Sequence, residues 1–340
     1  MTAPAAAPLP SLRYHRLLRA LPRYRWWRPL VALILAAVYW VVFQTIWTVV
    51  FVVIALVGGA IPFSPDLATL QDSLIRFLAI DASDPLSILA VVGGVATMLP
   101  AVLLAYLSVG LRPLRVLRSV AFRLRWRWLA LCLLPALLIT VVAIAVDAWL
   151  LPLLGDGPPP AVPTAPLGTF LLCALLFVVL TPIQAAAEEF GFRGLVSQAV
   201  GSWVAPPPVA IIVSTVAFAA AHTQYFGWAT LEVAVFGAVA AWVTCRTGGL
   251  EAAIALHAVN NTLSFVLLAT GAEGSTQGFD PDHPTTGDPW SAVVTVITMG
   301  AYLLIVEVMA RRRRIATVLE PLPAAPSAPP PPDPATRIAE

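Results

Sequence analysis

The sequence predicts an all-α polytopic membrane protein, a bundle of about eight transmembrane helices. Three observations predict it. The 340 residues are 59% hydrophobic and only 11% charged, with mean hydropathy +0.86, outside the range of soluble globular domains. Apolar runs of about 20 residues, the length that crosses a bilayer, recur along the chain. The 20 basic residues are all arginine and gather in clusters between those runs.

The elements follow in order. Residues 1–28 form a basic arm carrying Arg13, Arg16, Arg19, Arg23, Arg25 and Arg28. No small-residue cleavage site follows, so the arm and the first apolar run read as a retained anchor rather than a signal peptide. Spans are expected over 30–57, 86–111, 128–151, 167–187 (or on to 199), 207–224, 229–246, 250–270 and 290–310. Residues 66–80, DLATLQDSLIRFLAI, are too polar to span and read as an amphipathic helix at the interface. Cys132, Cys173 and Cys245 stand singly in apolar runs and read as packing residues, not as a disulfide or metal site. The tails MTAPAAAPLP and LPAAPSAPPPPDPATRIAE are proline-rich and read as disordered.

The arginines orient the spans. With the N-terminus inside, the arm, the cluster from Arg112 to Arg127, Arg193, Arg246 and Arg311 to Arg314 all fall on the cytoplasmic side, as the positive-inside rule requires. The opposite loops hold Asp66, Asp72, Asp81, Asp84, Asp156, Glu273, Asp280, Asp282 and Asp288 against Arg76 alone. The expected location is the plasma membrane, with both termini cytoplasmic.

Several polar residues fall within or near spans, where an ionised group costs about 2.5–3.5 kcal/mol at a helix centre and needs a partner. Asp147, Glu232 and Glu307 sit near span ends and are expected to be structural. Glu189 and Arg193, four residues apart, share a helix face as an ion pair. Glu188, about 100° around that helix, lacks this partner. Pro182 removes a helix hydrogen bond, and Gly191 and Gly194 permit close approach of another helix. Of four histidines, His15 and His283 lie in polar flanks and are expected to be solvated; His222 and His257 lie in apolar helices, the latter with Asn261 one turn on. A buried histidine alone is commonly a core residue. Two of them with buried glutamates in one third of the chain suffice for peptide hydrolysis: a carboxylate takes a proton from water, and imidazole and carboxamide groups serve the water and the oxyanion.

EEFGFR, FAAAH and HAVNN match the patterns EExxxR, FxxxH and HxxxN in order on successive spans. In this the chain resembles the CAAX protease and bacteriocin-processing family, intramembrane glutamic endopeptidases that include the type II prenyl-protein (Ras-converting) protease. The motifs cover residues 185–262. The resemblance implies that Glu188 is the catalytic base, that His222 shares activation of the water, and that His257 and Asn261 form the oxyanion hole. It implies a site-ordering role for Glu189 and Arg193, and no obligatory metal or other cofactor. The organisation it implies is a basic arm (1–28), flanking transmembrane helices (29–166), a catalytic core (167–270), an acidic loop with the last span (271–310), and a basic then proline-rich tail (311–340).

The expected partners are the lipid bilayer and a peptide or protein substrate in or at the membrane; nucleic acid is not expected, and the sequence assigns no oligomeric state. A zinc peptidase is disfavoured by the absence of HExxH, and a transporter by the absence of an inverted repeat. A non-catalytic membrane scaffold or immunity-type partner is the alternative.

Overall fold

A computed structural model of the chain describes residues 11–150, 163–271 and 285–320. Asp156, Glu273, Asp280, Asp282, His283 and the proline-rich tails lie outside the described residues. The architecture is the predicted all-α polytopic bundle. Seven helical segments are long and apolar enough to cross a membrane, and Pro207–Ala221 is a shorter apolar helix, so the described elements match the eight expected spans.

The first span is α1 (Arg28–Val57). It buries Ala32, Ala36 and Ala55 and leaves valines and isoleucines such as Ile34, Val41 and Ile46 exposed, as a lipid-facing helix does when small residues mark its packing face. After the amphipathic α2 (Leu67–Leu78), capped by the Asp66 carboxylate, the second span is broken in two. Its parts are α3 (Pro85–Ala96) and α4 (Met98–Ser108), separated at Thr97. Gly93 and Gly94 of α3 lie against Trp47 and Gln44 of α1. The third span is α5 (Trp126–Ala145), which continues as a π-helical turn over Val146–Leu150.

The fourth span is longer than expected. α6 (Leu167–Glu189), a π-helical segment (Phe190–Val196) and α7 (Ser197–Trp203) run on as one rod of 37 residues. The last four elements are α8 (Pro207–Ala221), α9 (Gly227–Thr247), α10 (Glu251–Leu268) and α11 (Pro289–Arg313). α10 is central: residues 251–258 are all buried, and it packs between α5 and α6. Glu251 at its start accepts from the Arg125 backbone N–H and guanidinium, the latter at 2.6 Å, which pins α10 to the head of α5.

The N-terminal arm departs from expectation. Leu12–Arg13 (β1) pairs antiparallel with Val318–Leu319 (β2), and residues 14–20 form a 3-10 helix against α7. Tyr14, Leu17, Leu18 and Leu21 enter the same core as Met98, Val116 and Leu195. His15, expected to be solvated, is fully buried; its Nε2 lies 2.9 Å from the Ala205 carbonyl. The arm's apolar stripe carries the histidine into contact with the backbone at Gly201, where an added Cβ would stand 2.1 Å from the His15 carbonyl oxygen.

Candidate active site

Glu188 and Glu189 are the last two residues of α6 and enter the π-helical turn that follows. Gly191 and Gly194 lie within that turn, and an added Cβ would stand 2.6 Å from Met98 Sδ at Gly191 and 3.3 Å from Leu117 at Gly194. The two glycines therefore seat the rod against α4 and the 3-10 turn Leu114–Leu117, the close approach expected of them.

Glu189 is fully buried. Its Oε1 accepts from Arg193 Nη1 at 3.0 Å and lies 2.8 Å from His257 Nδ1. Arg193 is also fully buried; Nη2 donates to the Gly237 carbonyl at 3.1 Å, and the guanidinium lies 4.1 Å from the centroid of Phe218. The predicted ion pair is present and ties α6, α9 and α10 together.

Glu188 points elsewhere. Gln184, one turn earlier on α6, donates from Nε2 to Glu188 Oε1, and its own Oε1 accepts from Asn261 Nδ2 at 3.2 Å. Glu188 Oε2 is buried without a hydrogen-bond partner among the described residues and stands 3.8 Å from His257 Nε2. Asn261 is held on its other side by Asn260 Nδ2, 3.3 Å from Asn261 Oδ1. Gln184 was missed in the sequence; its signal was a carboxamide four residues before Glu188, on the same helix face.

His222 is the C-cap of α8, immediately past a helix of 15 residues. Its Nδ1 lies 2.8 Å from the Phe218 carbonyl, and its ring is 4.4 Å from the Phe218 ring, between centroids. A carbonyl only accepts, so Nδ1 donates to it, and in the neutral form of the ring Nε2 is the acceptor. His257 is held edge-on to Phe236 at 5.1 Å and to Phe218 at 5.8 Å.

Glu188, His222, His257 and Asn261 line one cavity of about 520 Å³, together with Gln184. Asp147 and Glu232 also line it, whereas Glu307 pairs with Arg246 and Arg311 at the far end of the bundle. Among the described residues, no group of three or more histidines, cysteines, aspartates or glutamates is arranged to hold a metal ion.

Residues 167–263 match the family model described as type II CAAX prenyl endopeptidase, Rce1-like. All six sequence-predicted site residues fall within this segment, so the resemblance read from the three motifs stands. The chain is also 28% identical over 207 residues to an uncharacterized protein of Bacillus subtilis, YyaK, an alignment covering 58% of this chain and 67% of that protein. No solved structure matches the chain. It is a multi-pass membrane protein whose residues 167–263 are similar to that family model.

Proposed function

We propose that the chain is an intramembrane glutamic endopeptidase that hydrolyses a peptide bond in a membrane-associated protein or peptide. One observation carries the reading: Glu188 from α6, His222 from the end of α8, and His257 and Asn261 from α10 face one cavity, while Glu189 and Arg193 lie behind them as a dry support. An ion pair that only tied helices together would not need a second carboxylate turned into a cavity.

Glu188 is the base. The 3.8 Å between its Oε2 and His257 Nε2 is a separation that a shared water can bridge. Glu188 takes a proton from that water as its oxygen attacks the scissile carbonyl, and the Nε2 acceptor of His222 helps to hold the water. The oxyanion is met by Asn261 Nδ2 and by His257, which donates from Nε2 once its ring carries a second proton, because the Nδ1 hydrogen is already given to Glu189. Collapse of the tetrahedral intermediate breaks the C–N bond, and the proton taken from water passes to the leaving amine, so no further reactant is consumed. Gln184 holds Glu188, and Glu189 holds His257 through Nδ1. The arginine clusters support a plasma-membrane protein with both termini cytoplasmic: the arm, the 112–127 segment, Arg246 and Arg311–Arg314 belong to the end of the bundle closed by β1 and β2.

The test compares peptides and new protein termini in cells producing wild type or Glu188→Gln at matched membrane levels. Cleavage products that vanish with Glu188→Gln are expected. Products that persist would refute Glu188 as the base, and an unchanged peptide profile with a phenotype kept by the mutant would favour a scaffold.

A further inference from the structure

The cavity has a direction. From Glu188 and His257 it runs past Phe236 and Glu232 to Tyr225, Thr285 and Gly287. These last residues meet where the segment before α11 lies on the α8–α9 turn: Phe226 N–H donates to the Thr285 carbonyl at 2.8 Å, and Ala229 N–H to that of Thr286 at 3.0 Å. The cavity therefore occupies the N-terminal halves of α9 and α11. Arg246 and Arg311–Arg313 occupy their C-terminal ends.

Its carboxylates stand beside the imidazoles of His222 and His257. Besides Glu188, the lining includes Asp147 and Glu232, and no arginine is among its described lining residues. Glu232 is half-buried, and its carboxylate accepts from the Ser291 hydroxyl at 2.6 Å and the Thr295 hydroxyl at 3.2 Å. Both donors are neutral; they orient the carboxylate, and no arginine pairs with it among the described residues. A second observation is independent of the carboxylates. Thr140, on the α5 wall, is 2% exposed, and its hydroxyl has no hydrogen-bond partner among the described residues. A buried hydroxyl left unpaired beside a cavity is satisfied by what fills it.

We propose that this cavity binds a substrate segment carrying a lysine or arginine side chain, seated against Glu232, with the polypeptide entering at the end of the bundle opposite the arginines. The inference rests on the peptidase reading and names its substrate class. Glu232 lies one helical turn before Phe236, whose ring contacts His257. Four residues rise about 6 Å along the helix axis, and the Phe236 and His257 rings are 5.1 Å apart, a path that an extended peptide covers in about three residues. The basic side chain therefore belongs about three residues from the scissile bond, with Thr140 as a partner for the backbone between.

The test uses the full chain in proteoliposomes and synthetic peptides that differ only in lysine or glutamine at one position. Binding is read by fluorescence anisotropy on Glu188→Gln protein, which separates recognition from turnover. Lysine peptides are expected to bind at least tenfold tighter than their glutamine counterparts. Adding Glu232→Gln should bring the ratio to within about twofold, and adding Glu232→Lys should favour peptides with glutamate at that position. Melting temperatures establish that each variant is folded. On wild type, the same lysine-to-glutamine ratio should appear in kcat/KM, carried by KM. Equal binding of lysine and glutamine peptides, binding of neither, or a preference that survives Glu232→Gln would overturn the inference while leaving Glu188-dependent hydrolysis intact. Hydrolysis that survives Glu188→Gln would instead overturn the peptidase mechanism, with the binding preference unaffected.

Discussion

The adjacent glutamates are chemically identical, yet their surroundings predict different consequences of the same substitution. Glu189→Gln keeps the shape of the side chain and removes a charge from a fully buried site. At the observed 3.0 Å, with an effective dielectric of about 20, the lost attraction to Arg193 is about 5 kcal/mol. Removing one partner from a buried pair typically costs about 3–5 kcal/mol, because the other charge stays behind uncompensated. Each kcal/mol is worth roughly 2–4 °C of melting temperature in a domain of 150–250 residues, and less in a longer chain. Glu189→Gln should therefore lower the melting temperature by at least about 5 °C. Activity should fall with it, because His257 loses the carboxylate that fixes Nδ1. Glu188→Gln removes no arginine partner, and the neighbouring Gln184 amide can bond to either side chain. Its stability should stay within about 1 kcal/mol of wild type, the scale of one neutral hydrogen bond, while hydrolysis drops by at least the 10²–10⁴-fold typical of a lost general base. Both variants would be purified in one detergent, melted by intrinsic fluorescence and assayed on one substrate. If Glu188→Gln melts as low as Glu189→Gln, or if Glu189→Gln melts with wild type, the two glutamates do not divide catalysis and support between them.

Three further outcomes are expected. Gly201→Ala should release the N-terminal arm, since the new Cβ would overlap the His15 backbone rather than a flexible side chain; faster tryptic cleavage after Arg16 and Arg19 in inverted membrane vesicles would report it, and protection equal to wild type would count against the docked arm. Burial pushes the His15 pKa below its ordinary 6.5, with the hydrogen bond to Ala205 opposing it. The docked arm therefore binds fewer protons than the released arm, so docking should be complete above about pH 6.5 and weaken as the pH falls below it; the cleavage rate, corrected with a denatured control, should rise between pH 7.5 and 5.5, and His15→Asn should flatten that rise. Hydrolysis should survive a zinc chelator such as phenanthroline, because no metal-holding cluster occurs among the described residues; inhibition reversed by added zinc would point to a metallopeptidase.

Much of the bundle was legible because lipid imposes a coarse rule. A spanning helix must be apolar for about 20 residues, so hydropathy finds it. The interior of each span obeys subtler rules. The break at Thr97 leaves the apolar run of the second span uninterrupted, so hydropathy cannot see it. The fourth span runs to Trp203 because Ser197, Gln198 and Ser202 are buried by protein rather than lipid, and their polarity disguised the helix. His15 was misjudged for a related reason. Tyr14, Leu17, Leu18 and Leu21 repeat at i, i+3, i+4 and i+7, an apolar stripe that signals a docked helix, but the surrounding arginines drew the reading towards solvent. The site motifs stood out because charge in an apolar run is costly. Gln184 did not, since an uncharged amide in a helix has many unremarkable uses.

The geometry also accounts for the phenylalanine that accompanies His222. α8 ends at Ala221, so the carbonyls of its last turn need donors from outside the helix. The His222 ring supplies one to Phe218, which fixes the tautomer and directs Nε2 away from the backbone. The same phenylalanine stacks under Arg193, meets His257 edge to face and stacks on Phe236. One apolar side chain thus joins the guanidinium that holds Glu189 to both imidazoles. Around that ring, each charged or polar group that could collapse onto a neighbour is already held: Arg193 by Glu189 and Gly237, His257 by Glu189, and Asn261 by Gln184. Glu188 and Glu189 each keep one buried oxygen unpartnered among the described residues, and of the two only Glu188 lines the cavity. In an apolar interior that state is costly and persists only where the surrounding structure leaves no alternative partner. The short helix, the capping histidine and the stacked phenylalanine together impose that condition on Glu188.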